Sequence, residues 1–137
     1  RDQGFNELAP VLGVLKHFQG GVAAARRDWL ATHQEEIVGF IRGNLAALQW
    51  LYAPANKAEA LDIFAAHMKN ASASAAEQSY AVLLDPVSGF PRRADIDVEG
   101  INTVIDIRRT YAQPRRPLSQ PQAYYDLTYH TRAVSGV

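Results

Sequence analysis

The residues best suited to contact a small molecule stand together in the short sequence HFQGG. His17 and Gln19 offer hydrogen-bonding side chains, and Phe18 offers an apolar wall. Gly20 and Gly21 let the backbone approach a ligand closely or absorb a change of dihedral angle at a hinge. An apolar wall with a few convergent polar groups is typical of a small-molecule cleft. We therefore predict that these five residues bind a ligand, and the alternative is an ordinary turn before a strand.

The remaining residue types do not form a motif of catalysis or metal binding. The glycine pair lacks the spacing of a phosphate-binding loop or a dinucleotide fingerprint. The four histidines lie far apart, and none forms the i, i+4 pair of a zinc helix. The chain has no cysteine, which excludes disulfides and a thiolate nucleophile. We expect no catalytic residue, no metal and no cofactor.

Composition limits the classes of partner. A chain of 137 residues with 47% hydrophobic content has the size and apolar content of one folded domain. Lys plus Arg and Asp plus Glu each number 14, so the formal net charge is zero. A chain with no net charge has no overall positive electrostatic field to attract nucleic acid, so binding to nucleic acid is not expected. No apolar run approaches the ~20 residues that a membrane span needs.

The first ten residues, RDQGFNELAP, are polar and do not begin with Met. They also lack the apolar segment of a secretory signal peptide. These features are typical of a mature chain or of an internal piece of a longer protein.

Hydrophobic periodicity predicts a mostly helical chain. Apolar residues recur every three or four positions from Gln34 to Tyr52, and Pro54 ends the pattern. The remaining predicted helices are a short turn within residues 8–16, a helix start at the sequence RRDWL, a helix over 57–69, one that begins at a capping box of Ser74 and Glu77, one over 98–111 capped by Asp97, and a terminal helix within 123–134.

The segment Val22–Ala25 is predicted to be a short buried strand, although alanine is a poor strand former. A lone strand leaves backbone donors and acceptors unpaired. We therefore expect this segment to pair with a second chain, through strand-mediated self-association, or to become helical.

Several segments of the chain resemble one protein family. They begin with residues 17–68, from HFQGGVAAARRDWL through WLYAPAN to AEALDIFAAHM, and continue with YAVLLDPVSGF, GINTVIDIRRTYAQP and YYDLTYHTRA. Together and in this order they resemble the C-terminal half of ABC-transporter solute-binding proteins, in the group that covers binders of nitrate, sulfonate, taurine and thiamine-pyrimidine precursors. The resemblance implies an α/β parent fold, the type II periplasmic binding protein, of which this chain would be a mostly α-helical part with one or two short strands.

The same resemblance implies a domain organisation and a function. Residues 1–21 would be the end of a second lobe and the hinge, and residues 22–137 the C-terminal part of the first lobe, with a return strand and about five helices. The hinge-side residues His17 to Gly21 would contact a small anionic or heteroaromatic solute. The partners would be that solute and an ABC permease in the membrane, with no nucleic acid. The location would be periplasmic, or extracytoplasmic and associated with the membrane through the transporter. The protein would not be an enzyme.

Two other functions are compatible with the sequence. Amphipathic helices could form a protein-interaction or dimerisation module through an exposed apolar face. A pyrimidine-precursor biosynthetic enzyme on the same scaffold is the second alternative, although no histidine lies in a recognisable catalytic setting.

Overall fold

The structure, a computed structural model, describes residues 6, 8–9, 11–68 and 72–135. Helices account for 62% of the described residues, and none of these residues lies in a strand. The mostly helical prediction is therefore confirmed, and the prediction of one or two short strands is wrong for the described chain. The α-helices are α1 (Val11–Val14), α2 (Arg27–Thr32), α3 (Gln34–Tyr52), α4 (Lys57–His67), α5 (Ala73–Leu83), α6 (Val98–Tyr111) and α7 (Thr128–Val134), with 3-10 turns at Pro54–Asn56 and Pro121–Ala123.

The expected strand Val22–Ala25 is instead irregular and exposed, and Val22 keeps 64% of its surface in contact with solvent. Water can hydrogen-bond an exposed backbone, so the segment needs neither a strand partner nor a helix. Two alanines at the centre also give little side-chain area for packing on a sheet. The helical alternative is wrong as well, whereas pairing with a second chain stays a prediction.

The chain divides into two compact units. The first combines the described part of residues 1–25 with Ile96–Asp126, and the second combines Arg26–Asp95 with the described part of residues 127–137. In the first unit, α6 buries Ile101 and Ile105, and the turn at Pro121–Ala123 packs on α6. The predicted boundary between residues 21 and 22 stays a prediction.

The centre of the second unit is the packing of α3 against α7. Val38, Leu45 and Ala133 form a buried cluster, and Ala133 has no exposed surface. Small Ala133 lets the two helices approach closely enough for the α3 side chains to cover it. Arg132 pairs with Glu35 at the start of α3, which ties the same two helices at their edge.

The N-cap residue of helix α5 differs from the predicted one. Ser72, not Ser74, is the N-cap residue, and its Oγ accepts a hydrogen bond of 3.1 Å from the backbone amide of Ala75. Glu77 does not reach back to the cap but pairs with Lys57 of α4 at 2.7 Å. Serine is a favoured N-cap residue at either position, and Ser72 takes this role without the reciprocal glutamate of a capping box, since Glu77 is engaged by Lys57.

The loop after α5 is organised by one aspartate. Oδ1 of Asp85 accepts hydrogen bonds from the backbone amides of Val87 and Ser88, at 2.9 and 2.8 Å, and from the Ser88 hydroxyl at 2.8 Å. The amide and hydroxyl of Ser88, followed by the Val87 amide, lower the pKa of Asp85. The loop therefore has a defined conformation although its sequence is rich in Pro, Gly and Ser.

Replacing Gly89 in this loop with alanine is expected to lower the free energy of unfolding by about 2 kcal/mol. A Cβ atom there would lie 2.5 Å from the carbonyl oxygen of Leu83 and 2.6 Å from that of Asp85, so the backbone must shift. Urea denaturation measures the change. The matched control is Gly43→Ala, where a Cβ meets nothing within 4 Å. Equal stabilities of the two variants would contradict the described loop.

Candidate functional site

The five predicted binding residues lie in the first compact unit, against the N-terminal end of α6. The point of contact is Gly100, which is buried. A Cβ atom on Gly100 would lie 2.6 Å from the backbone nitrogen of Gln19 and 2.9 Å from the carbonyl carbon of Phe18. The absence of a side chain at Gly100 therefore lets the backbone of the binding segment lie directly on the helix.

His17 is held by the first residue before the helix. Its Nδ1 lies 3.0 Å from Oδ2 of Asp97, and both side chains stay partly exposed, at 57% and 42%. The structure thus joins a predicted binding residue to a residue that the sequence indicated only as a helix cap.

The electrostatics of Asp97 favour its charged form. Partial burial acts to raise its pKa, but the backbone amide of Gly100, the His17 ring and the amide of Glu99 together outweigh burial, so the pKa lies below the ordinary value. Backbone N–H groups at a helix N-terminus stabilise a nearby carboxylate in this way. Asp97 is therefore ionised at neutral pH and accepts hydrogen bonds.

Gln19 makes the second connection to the same residue. Its Oε1 accepts a hydrogen bond of 2.8 Å from the backbone amide of Asp97. Its Nε2 donates to the carbonyl oxygen of Gly21 at 2.7 Å. The Gln19 side chain thus fixes both the position of the segment on α6 and the conformation of the segment at its glycines.

Phe18 is the apolar element of the segment, and 47% of its surface is exposed. A Cβ on Gly20 would lie in ordinary contact with the Phe18 ring at 3.4 Å, and one on Gly21 would meet nothing within 4 Å. Neither glycine has the left-handed backbone that excludes other residues. Close approach of the segment's backbone to α6 is made possible by Gly100. That Gly20 and Gly21 let the backbone approach a ligand stays a prediction.

The two residues that sequence reasoning missed, Asp97 and Gly100, lie 78 to 82 positions beyond the residues of the segment that they contact. A local pattern cannot indicate a contact at that separation. The one available signal was a glycine in the first turn of α6, and that signal is not specific, because Gly43 within α3 has nothing packed against it.

Two other histidines make contacts within the second unit through their rings and ring nitrogens. The ring of His33 stacks on Trp29 at 4.3 Å between centroids, and its Nδ1 lies 2.9 Å from the Trp29 carbonyl oxygen. Nε2 of His130 lies 2.7 Å from the carbonyl oxygen of Arg93. Trp29 itself is 41% exposed.

The arrangement around His17 can hold a small molecule by hydrogen bonds and aromatic contact. The imidazole and the exposed Phe18 ring both lie on a segment whose backbone is fixed. Among the described residues, no group of three or more His, Cys, Asp or Glu side chains is placed to hold a metal ion.

Comparisons with known proteins identify no relative of this chain. No family model matches the chain, and neither the curated proteins nor the solved structures give a significant match. Within the described part of the chain, each helix is too short or too polar to span a membrane.

Proposed function

We propose that the chain is the C-terminal part of the solute-binding component of an ABC importer, which captures a small solute and delivers it to a membrane permease. The observation that supports this most is the segment from His17 to Gly21, with two hydrogen-bonding side chains and a half-exposed aromatic ring held on the end of α6. The ordered resemblance of four segments to such proteins supports the same function.

The proposal includes the finer fold and the location. The parent protein would have the type II periplasmic-binding architecture, two α/β lobes that close on a solute about hinge segments. It would act in the periplasm, next to its permease. Binding requires no covalent step, because hydrogen bonds to His17 and stacking on Phe18 are enough to orient a small planar solute.

Calorimetric titration of the protein that contains this chain against nitrate, taurine and 2-aminopyrimidine tests the proposal. We expect one of the three to bind, and Phe18→Ala to weaken its binding about tenfold, since an aromatic contact contributes ~0.5–1.5 kcal/mol beyond its buried area. Phe40→Ala is the matched control, because Phe40 is 57% exposed and lies in the other unit. Silence across the panel, or equal effects of both variants, would count against the proposal.

A protein-interaction module is the second candidate function. Large apolar side chains stay exposed on α5 and in the loop after it, where Val82 is 65% and Val87 is 84% exposed. Exposed apolar side chains that lie close together favour contact with another protein surface. Sedimentation distinguishes the two functions, because a tight dimer at every concentration supports the interaction module.

A further inference from the structure

The two ring nitrogens of His17 have different environments. Nδ1 lies 3.0 Å from a carboxylate oxygen of Asp97, whereas Nε2 makes no hydrogen bond within the described part of the chain. An ionised carboxylate has no proton to donate, so the hydrogen between the two groups belongs to Nδ1. In the neutral ring this leaves the lone pair on Nε2.

This tautomer of the His17 ring, with the proton on Nδ1, differs from the one that a free imidazole prefers. An unconstrained neutral imidazole prefers to keep its proton on Nε2, and the partner of one nitrogen decides the tautomer of the ring. The Asp97 backbone also binds Gln19, so a single residue holds the segment on both sides of Phe18. The geometry is therefore that of a fixed imidazole with its second nitrogen available to solvent.

We propose that Asp97 is a positioning residue, which holds His17 in the Nδ1–H tautomer and leaves Nε2 as the atom that contacts the solute. The tautomer stands on the geometry alone, while the contact with solute rests on the proposed function. In this state Nε2 accepts a hydrogen bond, so the solute must offer an N–H or O–H group.

The charge at the site favours the same class of solute. With a neutral His17 ring, the Asp97 carboxylate gives the pair a net negative charge beside the binding segment. A nearby negative charge disfavours an anion. Of the solutes considered, an uncharged molecule with an N–H donor is therefore expected to bind better than nitrate or a sulfonate.

The test is the tautomer of His17, measured by long-range ¹H–¹⁵N correlation at pH 9, above the range in which histidine side chains ordinarily titrate. In the wild-type chain, Nδ1 of His17 is expected to give the shift of a protonated nitrogen and Nε2 that of an unprotonated one. In Asp97→Ser, which keeps a good N-cap residue, the proton is expected to move to Nε2.

Controls in the same spectra separate positioning from folding. Asp106→Ser removes a carboxylate from the same helix, where Asp106 pairs with Arg109, and is expected to leave His17 unchanged. His130, whose Nε2 is bound to a carbonyl oxygen, reports that the second unit is intact in each variant. A wild-type His17 protonated on Nε2, or an Asp97→Ser variant that keeps the Nδ1 proton, would overturn the inference.

Adding 2-aminopyrimidine or methanesulfonate to the labelled protein separates the two parts of the proposal, which are the tautomer of His17 and the contact of its Nε2 with the solute. A shift of the Nε2 resonance with 2-aminopyrimidine and none with methanesulfonate is the expected result. Binding without a change at Nε2 overturns the contact with solute. If neither probe nor any member of the calorimetric panel binds, the proposed function fails, and the tautomer assignment stands.

Discussion

Gly100→Ala is expected to detach the binding segment from α6 and to lower the free energy of unfolding by about 2 kcal/mol. The new Cβ would lie 2.6 Å from the backbone nitrogen of Gln19 and 2.9 Å from an oxygen of Asp97. Contacts this short force main-chain atoms apart, and overpacking of this kind costs ~1–3 kcal/mol. Movement of the segment also breaks its two connections to Asp97, through His17 and Gln19.

The matched control is Gly43→Ala in the middle of α3, where a Cβ meets nothing within 4 Å. That change is expected to raise stability by ~1 kcal/mol, because alanine is the better helix former. The two substitutions therefore change the free energy of unfolding in opposite directions, and the two variants differ in stability by about 3 kcal/mol. Urea denaturation measures both, and hydrogen exchange at residues 17–21 reports detachment. A stabilised Gly100→Ala variant with unchanged exchange would contradict the described contact.

Leu45→Ala is expected to lower the free energy of unfolding by about 3 kcal/mol and to release α7 from α3. Leu45 is 6% exposed and belongs to the cluster that covers Ala133. Truncation of a buried leucine removes transfer free energy and leaves a cavity, at a cost of ~2–5 kcal/mol. Few other large side chains are buried in this cluster, so its neighbours cannot replace the lost contacts.

Phe40→Ala on the same helix is the control, since its side chain is 57% exposed. It is expected to change stability by less than ~1 kcal/mol. The ring signals of His130 on α7 report whether that helix stays in place. Equal losses in the two variants, or an α7 that stays bound in Leu45→Ala, would show that the cluster does not hold these helices together.

Much of the helical structure could be predicted because its signals are local. The run from Gln34 to Tyr52 is a single helix with the predicted limits. Helix α6 begins after Asp97 as expected, although the Asp97 side chain makes no capping hydrogen bond. The repeat of apolar residues does not by itself identify Val38 as the most deeply buried large side chain of α3, which packs against α7. The partner helix, not the pattern, decides which edge of an apolar stripe is covered.

The strand was predicted from two glycines and a few small apolar residues, and it failed because nothing in the described chain pairs with Val22–Ala25. A strand depends on a neighbour that a local sequence pattern does not identify. The segment from His17 to Gly21 could be indicated as a candidate binding site from residue types alone, and ligand binding there stays a prediction. Its attachment could not, because His17 and Gln19 reach Asp97 across 80 and 78 positions.

Hydrogen exchange of the protein that contains this chain, with and without a saturating solute from the calorimetric panel, tests the central claim most directly. The claim is that the segment from His17 to Gly21, held by Asp97 and Gly100, contacts the solute. We expect the solute to slow exchange at the backbone amides of residues 17–21 in the wild type and much less in Asp97→Ser. A solute that binds and protects other residues while these five amides exchange as before would contradict the claim.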